Sequence, residues 1–481
     1  MNSLRLPQTA SEISDSNNSK ASFSLHLALR AGLFNANTTF ADFRNCSSLD
    51  AQYMAEHGFP LAQPGDESSL VVAADIVSFT AMENNPAQLV TLEAAWRMTS
   101  KVLIVSAVVQ ISNFALWEQQ ATRCKPSRNY LSQTALKECI EKVLGVDALP
   151  AGLGVYFIFR DKTQAHRFTA LRFHRREMSY LQAQPLDHLK KDQTYLESLT
   201  DFIATHGRLP LQGELELSIE QEIISQFGNL SQAFEVITEG SSHQAWQGIQ
   251  QKRCEDLLLY LAYSHFARSL EFESITLEIQ HDIEALLGTY EEACRAAKHM
   301  LLKLKQPGTI AKLCRLSKIG KRLPDALYVH SSALEDLDPL LRIYEAFTTR
   351  AIGFTGATLI KFQVNNPKIS YLFYPNFDED PHPPLQASLQ INSENLELSY
   401  RDYSKSANPP ILHRKETFVT PSYPLYRQFS ELTQSEERWG LLSNPRFIGT
   451  RNGWAQRLQE KSVEVRDHCI AKLPEAKVPK K

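Results

Sequence analysis

SYLFYPNFDEDPHPPL (Ser370–Leu385) and NPPILHRKETFV (Asn408–Val419) are the two strings around which the chain is organised. Six prolines fall within the fifty residues from Ser370 to Val419. Because proline fixes φ and removes a backbone donor, these strings are predicted to form shaped loops rather than regular helices or strands. Polar side chains on such loops are where binding and catalytic sites are commonly built.

The two loops supply acids, imidazoles and a lysine that together suggest a catalytic site. The candidate residues are Asp378, Asp380, His382, His413, Lys415 and Glu416. Carboxylates with imidazoles suit a divalent metal, which would give a hydrolytic site, a nuclease site or a structural clamp. The alternative is that the aspartates cap turns, while His413, Arg414 and Glu416 make internal polar pairs that lock the loops. Spacing alone assigns none of them as a metal ligand.

Apolar strings on either side of these loops predict β-strands. The predicted strands are Ala357–Val364, Lys368–Tyr374, Gln386–Ile391 and Leu396–Tyr403. They predict a small, largely antiparallel sheet within a C-terminal α+β module over residues 324–460. Ser430–Leu442 is predicted to be a helix with an acidic exposed face, and residues 461–481 are predicted to form a tail.

The N-terminal part alternates between apolar, β-branched strings and helical patterns. Strands are predicted at Phe40–Phe43, Leu70–Phe79 and Lys101–Val109, with helices at Ser48–His57 and Pro86–Met98. This order predicts an α/β domain with a Rossmann-like, doubly wound parallel sheet over residues 22–162. Leu153–Arg160 adds a further apolar strand to that domain.

Four strings of the sequence resemble one known family. Together with the proline-rich loops, ALYVHSSALEDLDPLLRIYEA (Ala326–Ala346) and GTRNGWAQRL (Gly449–Leu458) are similar to the methyltransferases associated with DNA phosphorothioation systems. The resemblance runs from about Leu25 to Leu458. It implies methyl transfer from S-adenosylmethionine (SAM) in DNA modification and defence, with DNA and phosphorothioation-system proteins as partners.

The resemblance also implies where the cofactor would bind, namely at Asp42, Gln63 and Asp75. In that family the first strand runs into an aspartate and a glycine-rich turn, whose glycines let the backbone approach the cofactor closely. Here Asp42 matches the aspartate, but Arg44–Ser47 stand in the glycine positions, and Gln63 stands in place of the ribose-binding acid. The slot is either a diverged SAM pocket or part of a domain that keeps the sheet and no longer binds SAM.

Residues 163–323 are predicted to be a helical region with two basic stretches. The cations singled out as phosphate contacts are Arg167, Arg172, Arg175, Arg176, Lys318, Lys321 and Arg322. Lysine and arginine neutralise nucleic-acid phosphates and release counterions, which would support DNA binding. The alternative is a pair of solvated helix faces, because the net charge of −3 provides no global basic field.

Between the basic stretches, Tyr195–Phe234 predicts three helices with turns at Gly207–Pro210 and Gly228–Asn229. The second of these helices is acidic and would repel phosphate. We therefore expect the three helices to act as a scaffold or a protein-interaction surface rather than as a DNA-binding motif.

Cysteine usage and hydropathy favour a cytoplasmic protein. The seven cysteines are scattered, and no CxxC pair occurs, which indicates reduced thiols and argues against a zinc ribbon. No apolar run reaches the roughly 20 residues needed to cross a bilayer, and no secretion signal is evident, so no membrane role is expected. Residues 1–21, rich in serine and asparagine, are predicted to be a disordered tail.

Three functional hypotheses follow from the sequence. The first is a SAM-dependent DNA methyltransferase, intact or catalytically degenerate. The second is a non-catalytic DNA-binding or assembly subunit of the same system. The third is a metal-dependent nuclease or hydrolase at the C-terminal loops.

Overall fold

The computed structural model describes residues 22–43, 49–62, 74–81, 86–107, 133–173, 194–239, 243–267, 271–353 and 355–472. The chain divides into two compact units, Met1–Arg160 with Gly308–Lys481 and Asp161–Pro307. The first unit contains the strands described below, whereas the second is helical. The protein is thus a mixed α/β protein.

The N-terminal sheet of the first unit has five strands in the order β1-β2-β3-β5-β4. The strands are β1 (Phe40–Asp42), β2 (Ala74–Ala81), β3 (Thr99–Ala107), β4 (Leu149–Gly152) and β5 (Val155–Phe159). β1, β2 and β3 are parallel, whereas β5 is antiparallel to both β3 and β4. The predicted parallel β-α-β-α-β order is confirmed for the first three strands, and the β4–β5 hairpin makes the whole sheet mixed.

Four helices accompany this sheet. They are α1 (Phe23–Arg30), α2 (Leu49–Glu56), α3 (Pro86–Met98) and α4 (Gln133–Leu144). α2 and α3 connect the parallel strands, as parallel pairing requires a crossover of this kind. Val77, Phe79, Leu103 and Tyr156 form the core with residues of α3 and α4. All five residues of β5 are buried, which is the pattern of a strand covered on both faces.

The C-terminal sheet of the first unit has six strands in the order β11-β10-β9-β8-β7-β6, and every neighbouring pair is antiparallel. The strands are β6 (Lys321–Arg322), β7 (Ala326–His330), β8 (Leu359–Gln363), β9 (Lys368–Phe373), β10 (Ala387–Asn392) and β11 (Leu398–Asp402). The predicted antiparallel sheet is confirmed, and β6 and β7 extend it by two strands that the sequence analysis did not assign.

Alternate residues of this sheet enter two different cores, because successive side chains of a strand point to opposite faces. Leu327, Phe362 and Tyr371 pack with residues of α12 (Thr309–Leu316) and α13 (Pro339–Thr348). The residues that face the other way enter a second core, which the proline-rich loops and α14 (Tyr426–Arg438) complete. Its members include Tyr328, Leu359, Leu372, Phe377, Leu412, Phe418 and Phe429.

The end of the described chain is α15 (Pro445–Ile448), α16 (Arg451–Glu460) and a hairpin of β12 (Val463–Arg466) and β13 (Cys469–Lys472). The prediction of a tail from residue 461 is wrong for this hairpin. Val463 is buried, and it packs with Trp454 and Ile411 in a further apolar cluster. The alternating valines of β12 supply the apolar face that holds the hairpin on the module.

The second unit consists of helices. They are α5 (Lys162–Leu171), α6 (Thr194–His206), α7 (Leu217–Phe227), α8 (Leu230–Glu239), α9 (His243–Ala267), α10 (Leu277–Leu287) and α11 (Tyr290–Leu304). The predicted three-helix arrangement is confirmed by α6, α7 and α8, with Gly207 and Gly228 at positive φ in the two turns. Among the helices described here, none offers the apolar length that a bilayer crossing requires.

A charged network lies at the centre of the second unit, and we call it the Asp282 network. The carboxylate of Asp282 is fully buried and accepts hydrogen bonds from Arg208 at 2.7 Å and from Arg253 at 2.6 Å. Nδ1 of His206 lies 3.1 Å from both of its oxygens. Arg208 also makes a bidentate pair with Glu214 at 2.6 and 2.8 Å. Each carboxylate oxygen of Asp282 thus has charged or imidazole partners.

Candidate functional site

The two proline-rich loops meet through their backbones. The amide of Leu385 donates to the carbonyl of Pro410 at 2.8 Å, and the amide of Leu412 donates to the carbonyl of Pro383 at 3.1 Å. This pairing brings the rings of His382 and His413 together, with centroids 4.7 Å apart. The sequence analysis predicted that these two histidines could converge, and the structure places them in contact.

Glu436 is the third member of the site, and the sequence analysis did not identify it. Its Oε1 lies 2.6 Å from Nε2 of His382, and its side chain is 1% exposed. The predicted acidic exposed face of α14 does exist, but Glu436 belongs to the opposite face. It follows Phe429, Leu432 and Thr433 at helical spacing, and all four are buried. That spacing is the signal in the sequence that could have revealed Glu436.

His413 has one nitrogen with a partner and one without. Its Nε2–H donates to the carbonyl oxygen of Ile448 at 2.8 Å. This bond fixes the tautomer of the neutral ring and leaves a lone pair on Nδ1. Nδ1 is buried, and no hydrogen-bond partner reaches it from the part of the chain that the structure describes. The ring of Trp454 packs against both imidazoles, at centroid distances of 4.4 Å from His382 and 4.7 Å from His413.

We call His382, His413 and Glu436 the histidine cluster. Burial lowers the pKa of His382 to about 3 and that of His413 to about 4, because water no longer solvates the charged rings. Burial also raises the pKa of Glu436 to about 7, although the cationic neighbours of that carboxyl act in the opposite direction. Both imidazoles are therefore neutral at pH 7, which is the form that can donate a lone pair to a metal.

Lys415 is locked in place by the loops and does not face the cluster as a free amine. It is 2% exposed, and its Nζ donates to the carbonyls of Phe377 and Asp380, each at 2.7 Å. Nε2 of His468 lies 3.0 Å away, so all three ammonium hydrogens have partners. Burial lowers the pKa of Lys415 to about 8, against the opposing effect of the nearby carboxylates. Lys415 acts as an internal tie between the loops.

The remaining candidate acids each accept a hydrogen bond within the module, and Asp380 and Glu416 do so as the alternative interpretation proposed, whereas Asp378 pairs with a tyrosine instead of capping a turn. Asp378 accepts from the hydroxyl of Tyr423 at 2.7 Å, and Glu416 accepts from the hydroxyl of Thr433 at 2.8 Å. Oδ1 of Asp380 accepts from the amide of His382 at 2.8 Å, as an aspartate that caps a turn does. These three carboxylates order the loops around the histidine cluster.

A small cleft adjoins the cluster. Its volume is about 210 Å³, and Asp380, His382, Arg451 and Trp454 are among the residues that line it. A cleft of this size holds several water molecules or one small polyatomic group. His382 thus belongs both to the histidine cluster and to the wall of this cleft.

The predicted cofactor residues do not converge at one end of the N-terminal sheet. Asp42 lies at the carboxyl end of β1, opposite Ser78 of β2. Asp75 lies at the amino end of β2, where its oxygens accept from the amide of Thr39 at 3.0 Å and from the hydroxyl of Ser100 at 2.9 Å. The assignment of Asp75 to the same pocket as Asp42 is therefore wrong, because parallel strands hold the two carboxylates at opposite ends.

Of the residues predicted to contact the cofactor or DNA, Gln63, Arg175 and Arg176 lie outside the described residues, as do Arg44–Ser47 in the glycine positions. Arg167 is exposed on α5. The guanidinium of Arg172 lies 5.4 Å from the ring centroid of Tyr263. α5 ends at Leu171, and the remainder of the helix predicted over Ala165–Gln182 lies outside the described residues from position 174 onward.

The cations of the second basic stretch do not all lie on one face, because successive residues of β6 point to opposite sides of the sheet. Lys318 and Arg322 are exposed, whereas Lys321 is partly buried. Nζ of Lys321 lies 5.1 Å from the ring centroid of Phe418, and burial lowers its pKa, with the charge of Arg414 acting in the same direction. Lys321 is therefore not an exposed phosphate contact, since it points to the opposite face from Arg322.

In comparisons with known proteins, no family model, curated protein or solved structure matches the chain. The resemblance of the C-terminal strings to the phosphorothioation-associated methyltransferases stays a prediction. Function is therefore argued from the fold and from the geometry of the individual residues.

Proposed function

We propose that the protein is a methyltransferase-type protein of DNA modification that binds SAM at the carboxyl edge of its parallel strands. This edge is formed by the ends of β1, β2 and β3 at Asp42, Ala81 and Ala107. The observation that carries the proposal is the set of three parallel strands joined by helices, with an acid at the end of the first. In open α/β sheets, ligands bind outside the carboxyl ends of the strands.

Asp42 is the residue that fits a cofactor at this edge. Its carboxylate can accept hydrogen bonds from hydroxyl or ammonium groups, both of which SAM carries. SAM would supply an electrophilic methyl group, and the chain would supply position and orientation. With arginine, asparagine, cysteine and serine in the glycine positions, a close backbone approach is harder, so we expect weaker binding than a glycine-rich turn would give.

Calorimetric titration of the full chain with SAM, and with its demethylated product, tests the proposal. We expect saturable micromolar binding that Asp42→Asn weakens at least tenfold, because an anionic acceptor becomes a neutral amide. Asp75→Asn is the matched control, since it makes the same change at the other end of the sheet. Absence of binding at millimolar SAM, or equal affinities in the two variants, would contradict the proposal.

A second candidate function is a non-catalytic DNA-binding or assembly subunit. The observation that favours it is a run of exposed cations along α12 and β6, with no acid between residues 309 and 323. The exposed cations are Lys312, Arg315, Lys318 and Arg322. Such a run could neutralise several phosphates without any base-specific contact.

The salt dependence of duplex binding tests the second candidate, and the SAM titration tests the first. If α12 and β6 contact phosphate, the double variant Lys318→Glu and Arg322→Glu will weaken binding and flatten the dependence of affinity on salt by about two phosphate contacts. Arg427→Ala, which removes an exposed cation of α14, serves as the control. An unchanged salt dependence in the double variant would exclude this surface.

A further inference from the structure

We propose that the histidine cluster is a binding site for a divalent transition metal of the zinc type, with His382, His413 and Glu436 as its protein ligands. The three residues come from three segments, namely the loop after β9, the loop that leads to α14, and α14 itself. One potential ligand atom from each residue lies within 4.8 Å of the other two. Such convergence of two imidazoles and a carboxylate in a buried position is the basis of the proposal.

The spacing of the donor atoms fits a small ion. Zinc bonds of roughly 2.0–2.1 Å in a tetrahedral arrangement put neighbouring donors about 3.4 Å apart. The 2.6 Å between Nε2 of His382 and Oε1 of Glu436 is shorter than this, and all three ligand atoms lie within 4.8 Å of one another. Binding of the ion would therefore require side-chain rotations that lengthen the first distance and shorten the longest one.

His413 is already arranged as a metal ligand would be. Metal-binding histidines commonly donate their other ring N–H to a carboxylate or a backbone carbonyl, which fixes the tautomer and the ring orientation. Nε2 of His413 makes this bond to Ile448, and the lone pair of Nδ1 is left buried without a hydrogen-bond partner among the described residues. A buried polar atom without a partner is costly, and coordination of a metal would satisfy it.

The donor set selects the class of metal. Two imidazole nitrogens and one carboxylate oxygen suit zinc and similar first-row ions, whereas magnesium and calcium prefer oxygen ligands alone. Three protein ligands also leave a coordination position open, as catalytic rather than structural zinc sites do. The cleft beside His382 gives that position access to water or to a small anion, and Arg451 lines the same cleft.

The charges around the cluster are compatible with a cation. The charges of Lys415 and Lys321 act on the imidazoles of the cluster. The ammonium hydrogens of Lys415 are taken by the carbonyls of Phe377 and Asp380 and by His468. The carboxylates of Asp378, Asp380 and Glu436 oppose its charge. Arg414 is held outward in a 2.6 Å pair with Glu437.

The test uses the full chain and the metal ions alone. The protein is stripped with a chelator, desalted and titrated with cobalt chloride, whose visible absorption reports on coordination, and with zinc chloride followed by elemental analysis. We expect one equivalent of either ion to bind saturably and azide to perturb the cobalt spectrum through the open position. Glu436→Gln and His413→Gln should each lower the affinity at least tenfold.

Glu437→Gln is the matched control, because it changes the next residue of the same helix, whose carboxylate is half-exposed. Glu436→Gln keeps the side-chain shape and a hydrogen-bonding group toward His382, and a thermal melt without metal verifies that it is folded. The proposal fails if the wild-type chain binds no stoichiometric metal, or if folded Glu436→Gln binds as tightly as Glu437→Gln. If cobalt binds but azide does not change its spectrum, the claim that the metal has an open coordination position is wrong. No SAM enters this assay, so its result is separate from that of the cofactor titration.

Discussion

The Asp282 network and the histidine cluster are both buried polar groups, but they differ in how completely their atoms are hydrogen-bonded. Burial alone would raise the pKa of Asp282, yet hydrogen bonds and charges from His206 and Arg253 outweigh burial and lower it. Burial also raises the pKa of Glu436, and the opposing effect of its cationic neighbours is smaller, so that the pKa rises to about 7. Asp282 is thus held as an anion by its partners, whereas Glu436 is not.

This difference separates a structural role from a site with unused binding capacity. A complete network fixes the positions of the helices that contribute to it, and it leaves no atom available for a ligand. The histidine cluster keeps a lone pair on His413 without a partner and adjoins a cleft. Perturbed titratable groups in a cleft are candidates for function, and the same groups in a closed ion network are more commonly structural.

Asp282→Asn is expected to have the largest effect on stability of the changes considered. It removes the charge that opposes Arg208 and Arg253, and loss of one partner from a buried ion network costs about 3–5 kcal/mol. Glu436→Gln is expected to cost less than about 1 kcal/mol, because Glu436 has no arginine or lysine within hydrogen-bond distance among the described residues. Urea unfolding of both variants, with hydrogen exchange in residues 194–239 to localise the change, measures the difference. Equal losses would abolish the distinction between the two clusters.

Acid should lower the stability of the second unit through Glu214, which belongs to the Asp282 network. Burial would raise the pKa of Glu214, but hydrogen bonds from Arg208, Leu211 and His281 lower it from 4.5 to about 2. A depressed pKa stabilises the folded state above the unfolded value of 4.5, and this stabilisation is lost as pH falls toward 2. The loss should be smaller than that caused by Asp282→Asn, because Glu214 is less buried than Asp282 and solvent screens its ion pairs.

The measurement is urea unfolding of the wild-type chain and of Glu214→Gln between pH 6 and pH 3. This range covers the upper part of the pH interval over which Glu214 loses its charge. The wild-type chain should lose stability on acidification faster than the variant does. Glu222→Gln, a change at an exposed acid of α7, is the control. Parallel pH profiles in the wild type and in Glu214→Gln would show that the ion pairs of Glu214 contribute nothing to folding.

Much of the fold follows from local patterns in the sequence. The strings that became β8 to β11 alternate strongly, and the turns at Gly207 and Gly228 need positive φ, which glycine adopts easily. β6 and β7 were not assigned, because β6 has two residues and its pairing depends on the rest of the sheet. The hairpin at Val463–Lys472 was missed for a similar reason, since its stability comes from contacts with distant residues.

The candidate site was predictable in part. Proline-rich loops with His382 and His413 indicated where two ligands would meet, but a contact 54 residues apart in sequence, as between His382 and Glu436, has no local signature. The error with Asp75 has a different cause. The strand was predicted over Leu70–Phe79, which places Asp75 inside it and does not fix the end of the sheet that its side chain reaches. The pairing of Asp42 with Ser78, and the contacts of Asp75 with Thr39 and Ser100, fix that end only in the folded sheet.

Gly453→Ala should destabilise the protein less than Asp282→Asn does, and it acts on the wall of the histidine cluster. A Cβ at Gly453 would overlap the carbonyl oxygen of Phe447, so α16 would have to shift and carry Trp454 away from the imidazoles. Overpacking of this kind costs about 2 kcal/mol. Gly449→Ala is the control, because its Cβ would meet the carbonyl oxygen of Pro445 at 3.2 Å, a contact that a small adjustment relieves.

Thermal melts of the two alanine variants measure the cost, and cobalt titration tests its connection to the cluster. If Trp454 holds the imidazoles in register, Gly453→Ala lowers metal affinity along with stability, whereas Gly449→Ala leaves the affinity near that of the wild-type chain. Loss of stability with unchanged cobalt affinity would mean that the packing of α16 and the arrangement of the ligands are independent. The histidine cluster would then be positioned by its own loops and α14 alone, through the backbone pairing of Leu385 with Pro410 and of Leu412 with Pro383.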